Sequence, residues 1–177
     1  FMEKAPRTVE LDRSYSEQNL KYDIAQVRAL RAFAYFYMVR IWGDVPLVTY
    51  SYDNGTFPSM PRTDAQTVLS YAKAELLTAI KDLPYQYGTQ TNLYYGSYGA
   101  QWQGKLFNKL SAYSVLAHIC AWQGNYAEAE TYSAFIIDHA SEINAKYTSI
   151  ADLTSETGLF YSNASVKGSR ILGFNFA

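Results

Sequence analysis

The sequence predicts a mainly α-helical fold of antiparallel helix hairpins carrying long aromatic-rich loops. Three observations lead there. Apolar residues recur at spacings of three and four through four separate stretches, as in helices that bury one face. Stop and start signals punctuate those stretches at Gly43-Asp44-Val45-Pro46, Leu83-Pro84 and Gly124-Asn125. Between them lie segments rich in Gly, Asn, Gln, Thr and Tyr that follow neither a helical nor a strand period.

The first helix is expected over residues 16–42. Ile24, Val27, Leu30, Ala34, Met38 and Ile41 fall near helical spacing, with Ala29, Phe33 and Phe36 on another face. Between Ala29 and Ile41 the only charges are Arg31 and Arg40, so this half is apolar all round and should be enclosed by other elements. Gly43 supplies a left-handed stop and Pro46 prevents continuation. The second helix, residues 63–83, opens on a T-x-x-Q capping box at Thr63 and Gln66. It carries the stripe Ala65, Val68, Leu69, Ala72, Leu76, Ala79, Ile80 and Leu83, and Pro84 ends it. The third, residues 105–123, puts Leu106, Leu110, Tyr113, Ala117 and Cys120 on one face. Asn125 and Glu128 give cap chemistry to the fourth, residues 125–141.

Helices three and four are joined with almost no loop, which makes them an antiparallel hairpin. The spacing Leu116, Ala117, Cys120, Gly124, Tyr126, Ala129 follows the alternation of small and large residues in a tetratricopeptide-like (TPR-like) hairpin. The first two helices form a degenerate version with residues 44–62 inserted, where "VPLVTYSY" is an extended candidate and Asn54-Gly55 a turn. Residues 85–103 form a second loop, and residues 142–177 an irregular tail with one strand or partner-seeking segment.

The chain of 177 residues suits one domain or part of a larger one. Fifteen basic against 16 acidic residues, with no basic run, leave no field of the kind that holds nucleic acid. The single Cys120 excludes an internal disulfide and sits in an apolar helical run, as a buried, inert thiol does. No apolar run is long enough to span a membrane, and the start "FMEKAPRT" lacks the marks of a signal peptide, so an export address would have lain upstream. The 17 Tyr exceed what core filling requires, and Tyr is favoured where an apolar face meets a wet surface.

Three blocks in fixed order carry a family resemblance: "RALRAFAYFYMVRIWGDVPLV", "RTDAQTVLSYAKAELLTAIKDLP" and "GKLFNKLSAYSVLAHICAWQGNYAEAETYSAFIID". The matching residues are Arg28, Leu30, Arg31, Ala32, Tyr35, Phe36, Gly43, Asp44, Pro46, Leu47, Arg62, Val68, Leu83, Pro84, Gly104 and Lys105. Over about residues 27–140 the chain resembles the SusD/RagB family. That resemblance implies a partial SusD-like domain over residues 1–177, the helical scaffold of a larger α-helical domain. It also implies a non-catalytic outer-membrane lipoprotein of the cell surface that binds an oligosaccharide or similar nutrient and delivers it to a SusC-like TonB-dependent transporter. Its only membrane attachment would be an N-terminal lipid anchor absent from this chain, and Cys120, mid-helix, cannot replace it.

The Tyr-rich loop is the candidate site. A Tyr or Trp face covers the C–H face of a sugar ring while Asn, Gln and Thr bond its hydroxyls. Tyr94, Tyr95, Tyr98 and Trp102 are the ligand-binding candidates, with Tyr52 of residues 50–57 a further one. The competing reading has these rings pack the loop onto the scaffold. Arg31, the most confined charge, reads as a structural ion pair in preference to a ligand clamp. His118 and His139 lie on different helices, and no catalytic motif, metal site or cofactor loop is present, so no enzyme, metal or cofactor is expected. Asn163-Ala164-Ser165 matches a glycosylation sequon, a pattern common by chance. The alternative function is a TPR-like module that binds a protein or peptide and no sugar.

Overall fold

The computed structural model describes residues 1–52, 55–89, 93–95 and 104–145. Helices α1 (Pro6–Leu11), α2 (Glu17–Trp42), α3 (Ala65–Asp82), α4 (Lys109–Trp122) and α5 (Tyr126–Asp138) follow in order, and a 3-10 turn, Ala140–Ile143, extends the last. The long α2 packs along α3, α3 against α4, and α4 along α5, giving two antiparallel hairpins side by side. The mainly α, TPR-like architecture expected from the sequence is the one observed.

Small residues set the spacing. Ala25, Ala29 and Ala32 of α2, with Ala72 and Ala79 of α3, are almost wholly buried. Side chains this small let two helix axes approach at the short end of the usual range. Val68, Leu69, Leu76, Leu83, Phe107, Leu116 and Ile119 fill the space around them in one continuous core. Burying each such large side chain contributes about 2 kcal/mol.

Helix ends show where tertiary structure overrides local signals. α3 begins at Ala65, and its cap is Asp64, whose carboxylate accepts from Thr67 N–H at 2.9 Å. Thr63 does not cap because its backbone is committed elsewhere: it exchanges both bonds of an antiparallel bridge with Val45, at 3.0 and 3.2 Å. Among the described residues that bridge is the only β pairing that the extended candidate "VPLVTYSY" forms. Asp44 Oδ1 also accepts from Ala65 N–H, at 2.9 Å, and the Tyr35 hydroxyl both donates to and accepts from the Val48 backbone, at 2.9 and 2.7 Å. The segment after α2 is thereby closed onto the hairpin. α4 begins four residues later than its apolar pattern suggests, at a reciprocal capping box between Asn108 and Ser111. Asn125 caps α5, and α1 was not anticipated from the pattern.

Gly43 and Gly124 turn the chain at the ends of α2 and α4 with φ of 69° and 80°, a region that disfavours any side chain. Glu75 of α3 pairs with both Arg28, at 2.8 Å, and Arg31 of α2, and the Arg31 guanidinium lies 5.6 Å from the Tyr71 ring centroid. Arg31 is therefore a structural ion pair. Lys73 reaches Glu128 at 2.6 Å and ties α3 to α5. Cys120 is buried, and burial pushes its thiol pKa up.

One expectation fails. The second half of α2 is not enclosed by the described residues: Leu30, Ala34, Tyr37 and Ile41 stand exposed along one flank.

Glu75→Gln leaves two guanidiniums sharing no carboxylate. Because the pair is partly exposed, the expected loss is about 2–3 kcal/mol, below that for a fully buried pair. Urea unfolding followed by circular dichroism measures it, with Leu76→Ala, a cavity in the core, expected to cost about 2–5 kcal/mol as the reference.

Candidate functional site

On α2, Asn19, Asp23 and Gln26 follow one another at spacings of four and three, which places them on one flank of the helix. The chain after α3 lies down on this flank. The Gln26 side chain bonds the Tyr87 hydroxyl and clasps the Phe107 backbone, accepting from its N–H at 3.0 Å and donating to its carbonyl at 2.6 Å. Tyr87 in turn donates to the same carbonyl at 2.8 Å. This clasp, 81 residues apart in sequence, explains why α4 waits until Lys109.

Asp23 is the anchor of the tyrosine loop. Its carboxylate accepts from Tyr15 at 2.6 Å, from Tyr95 at 2.6 Å and from Tyr94. Asn19 Oδ1 adds a contact from Tyr95 N–H at 3.4 Å. The rings of Tyr22, Tyr87 and Tyr94 meet at centroid distances of 5.1 to 5.9 Å and, with Leu106, make a small aromatic core apart from the main one. Tyr95 holds a φ of 50°, rare for a residue with a side chain and costing on the order of 1 kcal/mol. Its bonds to Asp23 and Asn19 offset that cost.

The electrostatics follow from the geometry. Removing a proton from any of these phenols would place a second negative charge beside Asp23 in a partly dry setting. Burial first, and then the bond to Asp23, push Tyr95 up to about 12 and raise Tyr15 and Tyr94 further. Tyr87 is raised by burial.

The sequence candidates are thereby sorted. Tyr94 is 6% exposed, its ring packed in the small aromatic core, as the packing reading has it. Tyr95, next to it, is 50% exposed, its hydroxyl tied down by Asp23 and its ring edge-on to Tyr94 at a centroid distance of 4.7 Å, with Tyr15 at 6.1 Å. Tyr98 and Trp102 lie outside the described residues, as do Asn54, Asn163 and the tail from residue 146. Tyr52 is half-buried between Tyr50 and Phe57, each 4.9 Å away by ring centroid, and those two neighbours are exposed. Beside this cluster a cavity of about 260 Å³ is lined by Val27 and Arg31 of α2, residues 48–51 and residues 1–3. Asp23 and Asn19 were missed by sequence reading, although their four-residue spacing on a helix facing a tyrosine loop was the available signal.

The histidines are apart. His118 is exposed on α4, whereas His139 stacks on Phe135 at 4.0 Å and on Tyr85 at 5.9 Å, with Nδ1 2.9 Å from the Phe135 carbonyl. Among the described residues no group of three or more His, Cys, Asp or Glu is placed to hold a metal ion, and no helix is long and apolar enough to cross a membrane.

Known structures carry the same fold. A SusD superfamily protein from Bacteroides thetaiotaomicron is 99% identical over 99% of this chain, with a TM-score of 0.89. The chain belongs to the SusD superfamily. It spans 39% of the length of that relative. The SusD scaffold recurs in surface glycan-binding protein A from Bacteroides uniformis, 23% identical, covering 89% of this chain and 32% of that one at a TM-score of 0.66. A SusD-like carbohydrate binding protein from Bacteroides fragilis shares it at 22% identity, over 78% and 25% of the two chains, with a TM-score of 0.63. No family model matches the chain, and no curated protein is similar to it.

The raised phenol pKa values fix a pH dependence. Their folded values lie above the unfolded value near 10, so the docking they stabilise is complete below about pH 10 and is lost as pH rises toward and beyond 12. Ultraviolet titration of tyrosinate should show the Tyr95 transition near 12 and, in Asp23→Asn, shifted toward 10, with faster amide exchange at residues 93–95 in that variant.

Proposed function

We propose that this chain is the helical, ligand-presenting part of a non-catalytic cell-surface protein that captures an oligosaccharide and passes it to a SusC-like TonB-dependent outer-membrane transporter. The observation that carries the reading is Tyr95: a half-open ring, fixed by Asp23 and Asn19 on a rigid helix. A stacking platform held in place beforehand loses little entropy when a sugar lands on it. Tyr98 and Trp102, further along the same loop, extend the platform in this reading, while Tyr50, Tyr52 and Phe57 form a second aromatic surface beside the 260 Å³ cavity. Membership of the SusD superfamily supports the assignment, as do the carbohydrate-binding names of structural relatives. In the same reading residues 1–177 are part of a larger SusD-like domain held at the outer-membrane surface by an N-terminal lipid.

Titration calorimetry of the full-length polypeptide against a panel of neutral and acidic oligosaccharides tests this. Tyr95→Ala and Trp102→Ala are each expected to weaken binding by about tenfold, the worth of one lost aromatic contact. Binding untouched by both would remove the site from this loop, and no binding to any glycan would sink the proposal.

A further inference from the structure

One side chain of α2 holds both ends of the tyrosine loop. Gln26 Nε2 donates to the Tyr87 hydroxyl, near the start of the loop, and to the Phe107 carbonyl, just beyond its end, while Gln26 Oε1 accepts from Phe107 N–H. Tyr87 donates to the same carbonyl, so two residues 20 apart in sequence meet over one amide. All three residues are buried, where an unmade hydrogen bond costs more than at the surface. Asp23, which takes the Tyr94 and Tyr95 hydroxyls, lies three residues earlier on α2, roughly 4.5 Å along the axis. The loop is thus stapled at its base and pinned at residues 94 and 95 along one flank of a single helix.

We propose that Gln26 is a positioning residue for the Tyr95 platform, acting through Tyr87 and Phe107 without touching the ligand. The proposal rests on the reading that Tyr95 presents its ring to a sugar. Joining the ends of a loop confines what lies between them, which raises the local concentration of the Tyr94 and Tyr95 phenols at Asp23. Tyr95 also holds its φ of 50° against a cost, so a loosened base lets that strained turn relax. A second path runs through the rings: Tyr87 packs against Tyr22 at 5.3 Å and against Tyr94 at 5.1 Å, and Tyr94 is the neighbour of Tyr95. The competing role for Gln26 is to fix the start of α4 by holding Phe107, the residue before the Asn108 cap. That role needs no bond to Tyr87, and the bond is there.

Two variants of the full-length polypeptide test this. Gln26→Met keeps the side-chain length and removes every bond of the clasp; Gln26→Glu keeps the acceptor for Phe107 N–H, and serves if the first does not fold. Leu76→Ala, destabilised in the core and distant from the clasp, is the control. Amide exchange at residues 93–95 and hydroxyl-radical labelling of the buried Tyr94 should each rise about tenfold in Gln26→Met, less in Gln26→Glu, and stay unchanged in Leu76→Ala. Glycan affinity by calorimetry should fall by about fivefold in Gln26→Met, less than in Tyr95→Ala. Changes confined to the first turn of α4, or the same rise in Leu76→Ala, overturn the proposal, as does undiminished affinity for a glycan that the parent binds. A parent that binds no glycan defeats the proposed function alone, because exchange and labelling still decide what Gln26 positions.

Discussion

The close approach of α2 and α3 is the constraint on which the rest depends. It is made possible by alanines on both sides, Ala25, Ala29 and Ala32 against Ala72 and Ala79. Alanine has no side-chain rotamers to lose, so this contact is bought without the entropy that larger side chains forfeit on burial. Once the two axes are close, Glu75 stands within reach of both Arg28 and Arg31, and Tyr35 within reach of the Val48 backbone. The insertion after α2 is thus fixed at its base, where Val45 bridges Thr63. The second hairpin is referenced to the same frame through Lys73 and Glu128, whose carboxyl pKa is lowered chiefly by its bond to Lys73.

The same frame explains which parts of the sequence were readable. α3 was legible because its apolar stripe, its lysine-bearing last turn and the proline that follows all point the same way. Its cap was misread by one residue because Thr63 and Asp64 are equally good local candidates, and only the bridge to Val45 decides between them. The start of α4 was misread for a related reason: the Phe107 backbone is held by Gln26, and no local pattern announces a partner that far away. Within the site, Tyr94 and Tyr95 are adjacent residues of one type, yet one is buried and the other half open. Composition revealed a tyrosine-rich loop but could not rank its members, because the ranking is set by Asp23 on another element. The apolar character of α2 was also plain, and the error lay in the step from apolar to enclosed. A sequence specifies which face avoids water and leaves unsaid what covers it.

What the loop can offer a ligand is narrowed by how it is held. Three phenol hydroxyls converge on Asp23, and a fourth, on Tyr87, is spent between Gln26 and Phe107. Those hydroxyls are therefore committed to the scaffold, and of these four tyrosines Tyr95 alone is exposed. A ring face discriminates poorly among sugars, since most pyranose rings offer a comparable patch of C–H groups. Selectivity would then have to come from hydrogen-bonding groups brought in by other segments.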